Sequence, residues 1–390
     1  MDEVKKAPRR RPAAYDAEIT EERPHRGAAD LPMTILVLML SVIGLIMMFS
    51  ASYASSMHKF EGNATYLFGR QAVFVALGVA AMLVISRMDY QFFRRIAVPL
   101  MAAALVLLIL VPFIGEELNG AKRWIKLGSQ TFQPSEIAKL ALIVCFAAMI
   151  AHFRERMRTF KYGILPFVAI MGIMAGLLIL QPHLSGTVLI LGVGAALMFV
   201  GGVRWGWFAG LAAVGVPAAY FLVAEMGYAQ SRIEIWMDPW IDPIGKGLQS
   251  IQSLYAIGSG GLFGLGLGKS RQKFLYLPEE HNDFIFSIVC EELGLIGAGI
   301  ILVLFAVLIL RGYWIAIHSR DRFGSLMVTG VTTLLALQTF LNVAVVTNLI
   351  PVTGISMPFF SSGGTSMVIQ LAEMGIVLAV SRQIPAPKSG

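Results

Sequence analysis

A chain of 390 residues that is 56% hydrophobic and only 14% charged, with a mean hydropathy of +0.71, is too apolar for a soluble fold. Its net charge of +7 sits mostly in short connections between apolar stretches, which is an orientation signal in a membrane protein and not a nucleic-acid surface. Short alternating strands of the outer-membrane barrel type are not visible, whereas apolar runs long enough to cross a bilayer as helices recur throughout, so the fold class is an all-α polytopic membrane protein with about ten transmembrane helices.

Residues 1–30 are polar, Pro-rich and basic, and form a disordered cytoplasmic tail; no small-residue cleavage pattern follows the first span, which is therefore retained. Residues 31–382 form a single transmembrane domain, with spans near 31–54, 67–86, 96–114, 135–152, 163–180, 184–202, 204–223, 284–310, 324–346 and 364–382, and residues 383–390 form a second cytoplasmic tail. Cytoplasmic segments then carry Arg87, Arg94 and Arg95, next Arg154, Arg156, Arg158 and Lys161, and next Arg311, Arg320 and Arg322, with both termini inside. Two outside loops break this pattern: 115–134 holds Lys122, Arg123 and Lys126, and the large loop between helices 7 and 8, 224–283, holds Lys246, Lys269, Arg271 and Lys273. Positive charge on the disfavoured side points to an anionic ligand.

Along the fourth span, Glu136 and Lys139 stand one helical turn apart and can pair. His183 sits between the fifth and sixth spans, a helix-end histidine with no second metal ligand at suitable spacing. Trp236 and Trp240 lie among amphipathic pieces of the large loop, placed at headgroup depth. GSGGLFGLGLGKS resembles a Walker phosphate loop, but the glycine needed before Gly268-Lys269-Ser270 falls on Phe263, so the motif fails. The repeated glycines leave two readings open: close approach to a ligand flanked by Lys269 and Arg271, or a re-entrant turn.

Asp283 opens the eighth span inside a polar cluster with Glu279, Glu280, His281 and Asn282, while Glu291 and Glu292 lie about two turns deeper. A short acidic side chain there either caps the helix or serves chemistry. Between the last two spans, NLIPVTGISMPFFSSGGTS contains too many prolines and glycines for one helix and forms a wall of a site, with Ser361 and Ser362 as its hydroxyls. Gln370 and Glu373 follow within the last span. Cys145 and Cys290 both fall inside spans and form no disulfide framework.

NGAKRWIKLGSQTFQPSEIAKL, DPWIDPIGKGLQSIQSLYAIGSGGLFG, YLPEEHNDFIF and MPFFSSGGTS, in this order along the chain, resemble the SEDS family of bacterial cell-wall polymerases, the FtsW, RodA and SpoVE proteins. The resemblance spans about residues 31–382, and GKSRQKFLYLPEEHNDFIF is nearest the FtsW and SpoVE branch. It implies a glycosyltransferase that polymerises lipid II on the outer face of the bacterial cytoplasmic membrane, at the division septum. Asp283 is the implied catalytic residue. Lys122, Arg123, Trp124, Glu136, Lys139, Lys269, Arg271, His281, Ser361 and Ser362 are the expected substrate-binding residues. A divalent cation, Mg or Mn, is the expected cofactor, with no organic cofactor. The implied partners are a class B penicillin-binding protein, other division proteins and membrane lipids. Family members often carry Thr where Asn282 stands and Asp where His183 stands, which puts a role for position 183 in doubt. A lipid II flippase and a non-catalytic division scaffold are the alternatives that the residues leave open.

Overall fold

The computed structural model describes residues 27–118, 121–128, 130–225 and 227–384. Most of the two expected tails therefore lies outside the described residues. In chain order the elements are α1 (Leu31–Lys59), α2 (Tyr66–Ile85), the short α3 (Gln91–Arg95), α4 (Ala97–Ile114), strands β1 (Glu116–Leu118), β2 (Ala121–Leu127) and β3 (Gln130–Phe132), and α5 (Pro134–Phe153). They continue with α6 (Leu165–Leu180), α7 (Leu184–Val200), α8 (Trp205–Glu225), α9 (Gly227–Met237), α10 (Leu248–Gly260), α11 (Ile285–Ile317), α12 (Arg322–Val346) and α13 (Gly364–Ser381). A helix occupies each of the ten expected spans. Among the described residues eight helices have the length and apolarity to cross a bilayer, and α7 is a shorter apolar helix. The chain is an integral membrane protein.

Helix α13 packs along α2, α11 along α12, and α4 along α5, while α1 lies against α11. The best-covered helices are α12 and α13, 72% and 67% buried over their apolar windows, so they form the centre, whereas α2, 17% buried, faces outward over most of its surface. Helix α1 runs five residues past the expected end because the serines of SASYASS, which look like a span terminus in sequence, point into the protein. Ser50, Ser52, Ser55 and Ser56 are all buried.

Two connections matter for function: one departs from the sequence expectation, and the other takes the re-entrant form that the sequence left as one of two readings. The outside loop at 115–134 is a three-stranded antiparallel sheet, ordered β1-β2-β3, that pairs Ile125 with Phe132 and Glu117 with Lys122. Its alternation was masked by the short strands. The Gly-rich run is a re-entrant loop that pairs with a break in α11 at Gly294, whose φ is 68°. The N–H groups of Leu265 and Gly266 donate to the carbonyls of Glu291 and Glu292 at 2.9 and 3.0 Å, and those of Leu295 and Ile296 donate to Gly261 and Leu262 at 2.9 and 3.1 Å. Irregular backbone at this depth is thus paired internally, as a low-dielectric setting demands.

Candidate active site

The turn that carries Asp283 is built by backbone geometry and clamped from two sides. Glu279 adopts φ +58°, and its carbonyl accepts from the N–H groups of Asn282 at 3.0 Å and Phe284 at 3.3 Å. Helix α11 begins only at Ile285 and Phe284 occupies its cap position without a side-chain cap, so the Asp283 carboxylate is not spent on capping. From the last connection, Ser361 Oγ donates to the Asn282 carbonyl at 2.9 Å, Ser362 Oγ donates to Asn282 Oδ1, and the Ser362 N–H donates to the His281 carbonyl at 3.0 Å. From below, the side-chain amide of Asn342 donates to the Asp283 carbonyl at 2.8 Å.

Asp283 opens into a polar cavity of about 490 Å³ at the loop end of the bundle. Arg123, Trp124, His183, Glu279, His281, Ser361 and Ser362 line it, and so do Lys59 and Arg70 from α1 and α2. Its carboxyl is pushed up to about 6, first by burial and then by the negative charge of Glu279, against the opposing effects of Ser356, Arg123 and His281. A Cβ at Gly354, whose φ is +70°, would stand 3.1 Å from Asp283 Oδ2, so this glycine is the wall directly behind the carboxylate.

On the opposite wall, Arg123 donates from Nε to the Gln181 carbonyl at 3.3 Å and from Nη2 to that of Pro182, which fixes the β2 cation against the α6–α7 turn. His183 leads into α7 with its ring within 3.2 Å of Gln133 Nε2 and Ser135 Oγ and 3.3 Å of Ser185 Oγ. Burial, then the charges of Arg123 and Lys139, push its pKa down to about 3, so the ring is neutral. His281 Nδ1 lies 3.3 Å from Glu280 Oε1 without hydrogen-bond geometry, and Glu280 is also held by Ser55 of α1.

The expected site residues do not all meet here. Lys122 is exposed and does not line the cavity. Glu136 and Lys139 pair at 2.8 Å in the buried interior beneath Gln133 and His183, outside the lining. Lys269 and Arg271 are exposed on the re-entrant loop, and Arg271 borders a separate depression with Phe274 and Tyr276. The anionic partner of that loop is internal: Glu292 accepts from the N–H groups of Gly268 and Ser270 at 3.0 and 3.2 Å and from Lys273 Nζ at 2.9 Å, and Glu291 accepts from the Arg271 N–H at 2.9 Å. Conversely, Lys59, Arg70 and Ser356 were not singled out in the sequence, and Gly354 stood out only as one of the residues that interrupt a helix between the last two spans. Lys59 and Arg70 carry a readable signal, since they flank the first outside connection and belong with the other cations on the disfavoured side.

Among the described residues no group of three or more His, Cys, Asp or Glu is arranged to hold a metal ion by itself. The fold and the site define a polytopic helical membrane protein with one carboxylate of raised pKa in a cation-flanked cavity at the membrane edge. The family model described as "Cell cycle protein", covering FtsW, RodA and SpoVE, matches residues 31–385. Stage V sporulation protein E of Bacillus subtilis is 42% identical over 355 residues, 90% of this chain and 97% of that protein. A probable peptidoglycan glycosyltransferase FtsW of Geobacter metallireducens is 40% identical, over 91% of this chain and 95% of its own length. The fold is similar to a chain of a solved peptidoglycan synthase complex that coordinates polymerization and crosslinking, with TM-score 0.76 and 30% identity, covering 91% of this chain and 98% of that one. It is also similar to the rod shape determining protein RodA of Thermus thermophilus, with TM-score 0.68 and 29% identity over 92% and 99% of the two chains. The chain belongs to the SEDS family, on its FtsW and SpoVE branch.

Proposed function

We propose that the chain is a peptidoglycan glycosyltransferase that polymerises lipid II into β-1,4 glycan on the outer face of the cytoplasmic membrane during septal wall synthesis. The observation that carries this reading is Asp283, a carboxylate freed from helix capping, raised to about 6 and aimed into a cavity flanked by Lys59, Arg70 and Arg123. The donor sugar is α-linked to pyrophosphate and the product is β-linked, so a single in-line displacement inverts the centre. The acceptor 4-oxygen forms the new bond to C1 as the C1–O bond to pyrophosphate breaks, and Asp283 takes the hydroxyl proton. A base with a pKa near 6 is largely ionised at neutral pH yet more basic than an ordinary carboxylate.

The leaving pyrophosphate carries the charge that cations must neutralise. Arg123, Arg70 and Lys59 are assigned that role, in place of Lys269 and Arg271. A divalent cation would supply further charge stabilisation when bound and would be held mainly by the substrate's own phosphate oxygens, since among the described residues no three acidic, His or Cys side chains are grouped to hold one. The match to a synthase complex that couples polymerization to crosslinking supports a class B penicillin-binding protein as the partner.

The test is purified protein given labelled lipid II in detergent, where no sidedness exists. Glycan polymer from the native protein and none from Asp283→Asn supports the enzyme. Absence of polymer with and without the partner transpeptidase leaves a lipid II flippase or a division scaffold.

A further inference from the structure

Asn342 sits fully buried in the last turns of α12, with Ala344, Val345 and Val346 as buried apolar neighbours along the chain. Its amide nitrogen donates twice, to the Asp283 carbonyl at 2.8 Å and to the Ile355 carbonyl at 2.7 Å. Both partners are acceptors only, so the amide has one workable orientation, and it leaves Oδ1 buried without a partner. An apolar residue of similar size would remove that orphan oxygen but strand two buried carbonyls, which is the less favourable choice.

The two carbonyls belong to two irregular segments that have no regular pairing with each other. One is the turn that carries Asp283. The other carries Gly354, which stands behind the Asp283 carboxylate, and Ser356, which lines the cavity beside it and opposes the rise of its pKa. We propose that Asn342 is a positioning residue of the reaction: by holding both carbonyls it fixes the Asp283 turn against the Gly354–Ser356 wall and sets the direction in which the carboxylate enters the cavity. The inference rests on Asp283 being the base. Without the clamp the wall drifts, Ser356 loses its register, and the charged carboxylate loses the polar influence that favours it.

The full-length protein is assayed on labelled lipid II across about pH 5 to 8, as the native chain, Asn342→Ala, Asn342→Ser, Ser356→Ala and the Asn342→Ala/Ser356→Ala double variant. Misplacement of the base by a fraction of an ångström to 1 Å predicts a kcat loss of about ten- to hundredfold with KM little changed. The acid limb of the pH profile should move upward in Asn342→Ala as in Ser356→Ala, and the double variant should shift it no further than either one. Asn342→Ser, with a donor too short to reach both carbonyls, should fall between. An Asn342→Ala protein that only melts earlier, with kcat and acid limb unchanged, overturns the proposal, and so do additive effects with Ser356→Ala. If Asn342→Ala does not fold, Asn342→Ser decides by the same two readouts. Polymer made by Asp283→Asn would instead refute the base assignment itself, whatever Asn342 does.

Discussion

Asp283 stands where opposing influences on a carboxylate meet: burial and the charge of Glu279 raise its pKa, Ser356, Arg123 and His281 lower it, and burial wins. Two pH dependences follow, with different signs. Polymerisation needs the ionised form, so its rate should be flat at neutral pH and fall about tenfold per unit below about 6, measured as initial kcat/KM on lipid II. Stability runs the other way. A folded pKa above the usual value favours folding fully below the unfolded pKa, and that contribution is lost as pH rises from there through about 6. Asp283→Asn should therefore melt higher than the native protein at neutral pH, by at most about 3 kcal/mol given two units at 1.4 kcal/mol each, and the difference should vanish near pH 4. The cations separate in the same assay. Arg123→Gln and Arg70→Gln should lose about ten- to hundredfold in kcat/KM, and Lys269→Gln little, since only the first two line the cavity. Asp283 was visible in the sequence as a charge beside a span that demands a reason, but the residues left capping and chemistry both open and only the family resemblance implied chemistry. Ser356 and Gly354 were not legible as site residues, because nothing in a Pro/Gly-rich segment says which of its residues faces a partner so far away in the chain.

At the scale of elements, the Gly-rich run shows why local reading left two choices open. Its glycines permit close approach to α11: a Cβ at Gly264 would lie 2.2 Å from the Glu292 carbonyl oxygen, and one at Gly294 would lie 2.3 Å from the Gly264 nitrogen. Helices stand at all ten expected positions because apolar runs mark them, although among the described residues eight are long and apolar enough to cross a bilayer. The loop's partners, Glu291 and Glu292, were visible as charges needing neutralisation, yet their pairing with backbone N–H groups and Lys273 depends on a helix break that hydropathy does not encode. Lys273 Nζ reaches Glu292, the Gly268 carbonyl at 2.6 Å and Ser50 Oγ at 3.1 Å, so one ammonium ties α1, the loop and α11 together. Lys273→Met should cost about 3–5 kcal/mol by leaving a buried carboxylate uncompensated. Adding Glu292→Gln should recover part of the loss in detergent melting curves. A melting point unmoved by Lys273→Met would mean that the staple is not structural.

For the whole molecule, hydrogen bonds sort the connections into two ends. At one, Arg311 grips Asp30 with Nη2 to Oδ2 at 2.6 Å, Tyr90 and Gln91 donate to Asp321 at 2.7 and 2.9 Å, and Arg322 donates to the Gly201 carbonyl at 2.8 Å. At the other, Arg123 meets the α6–α7 turn, Ser361 and Ser362 meet the Asp283 turn, and Trp236 donates to the Asn348 carbonyl at 3.0 Å. The first end holds the arginine-rich connections, which the positive-inside rule predicts to be cytoplasmic, and on the proposed function the cavity would then face outward. Cysteine labelling tests this on the intact molecule. Cys145 and Cys290 are only 6% and 9% exposed and should give little background. Lys246→Cys, on an exposed turn at the cavity end, should react with an impermeant thiol reagent added to intact cells, and Thr159→Cys, exposed at the arginine-rich end, should react only after the membrane is permeabilised. The reverse pattern would place Asp283 on the cytoplasmic side, where glycan cannot be delivered to the wall, and would end the polymerase reading together with the orientation.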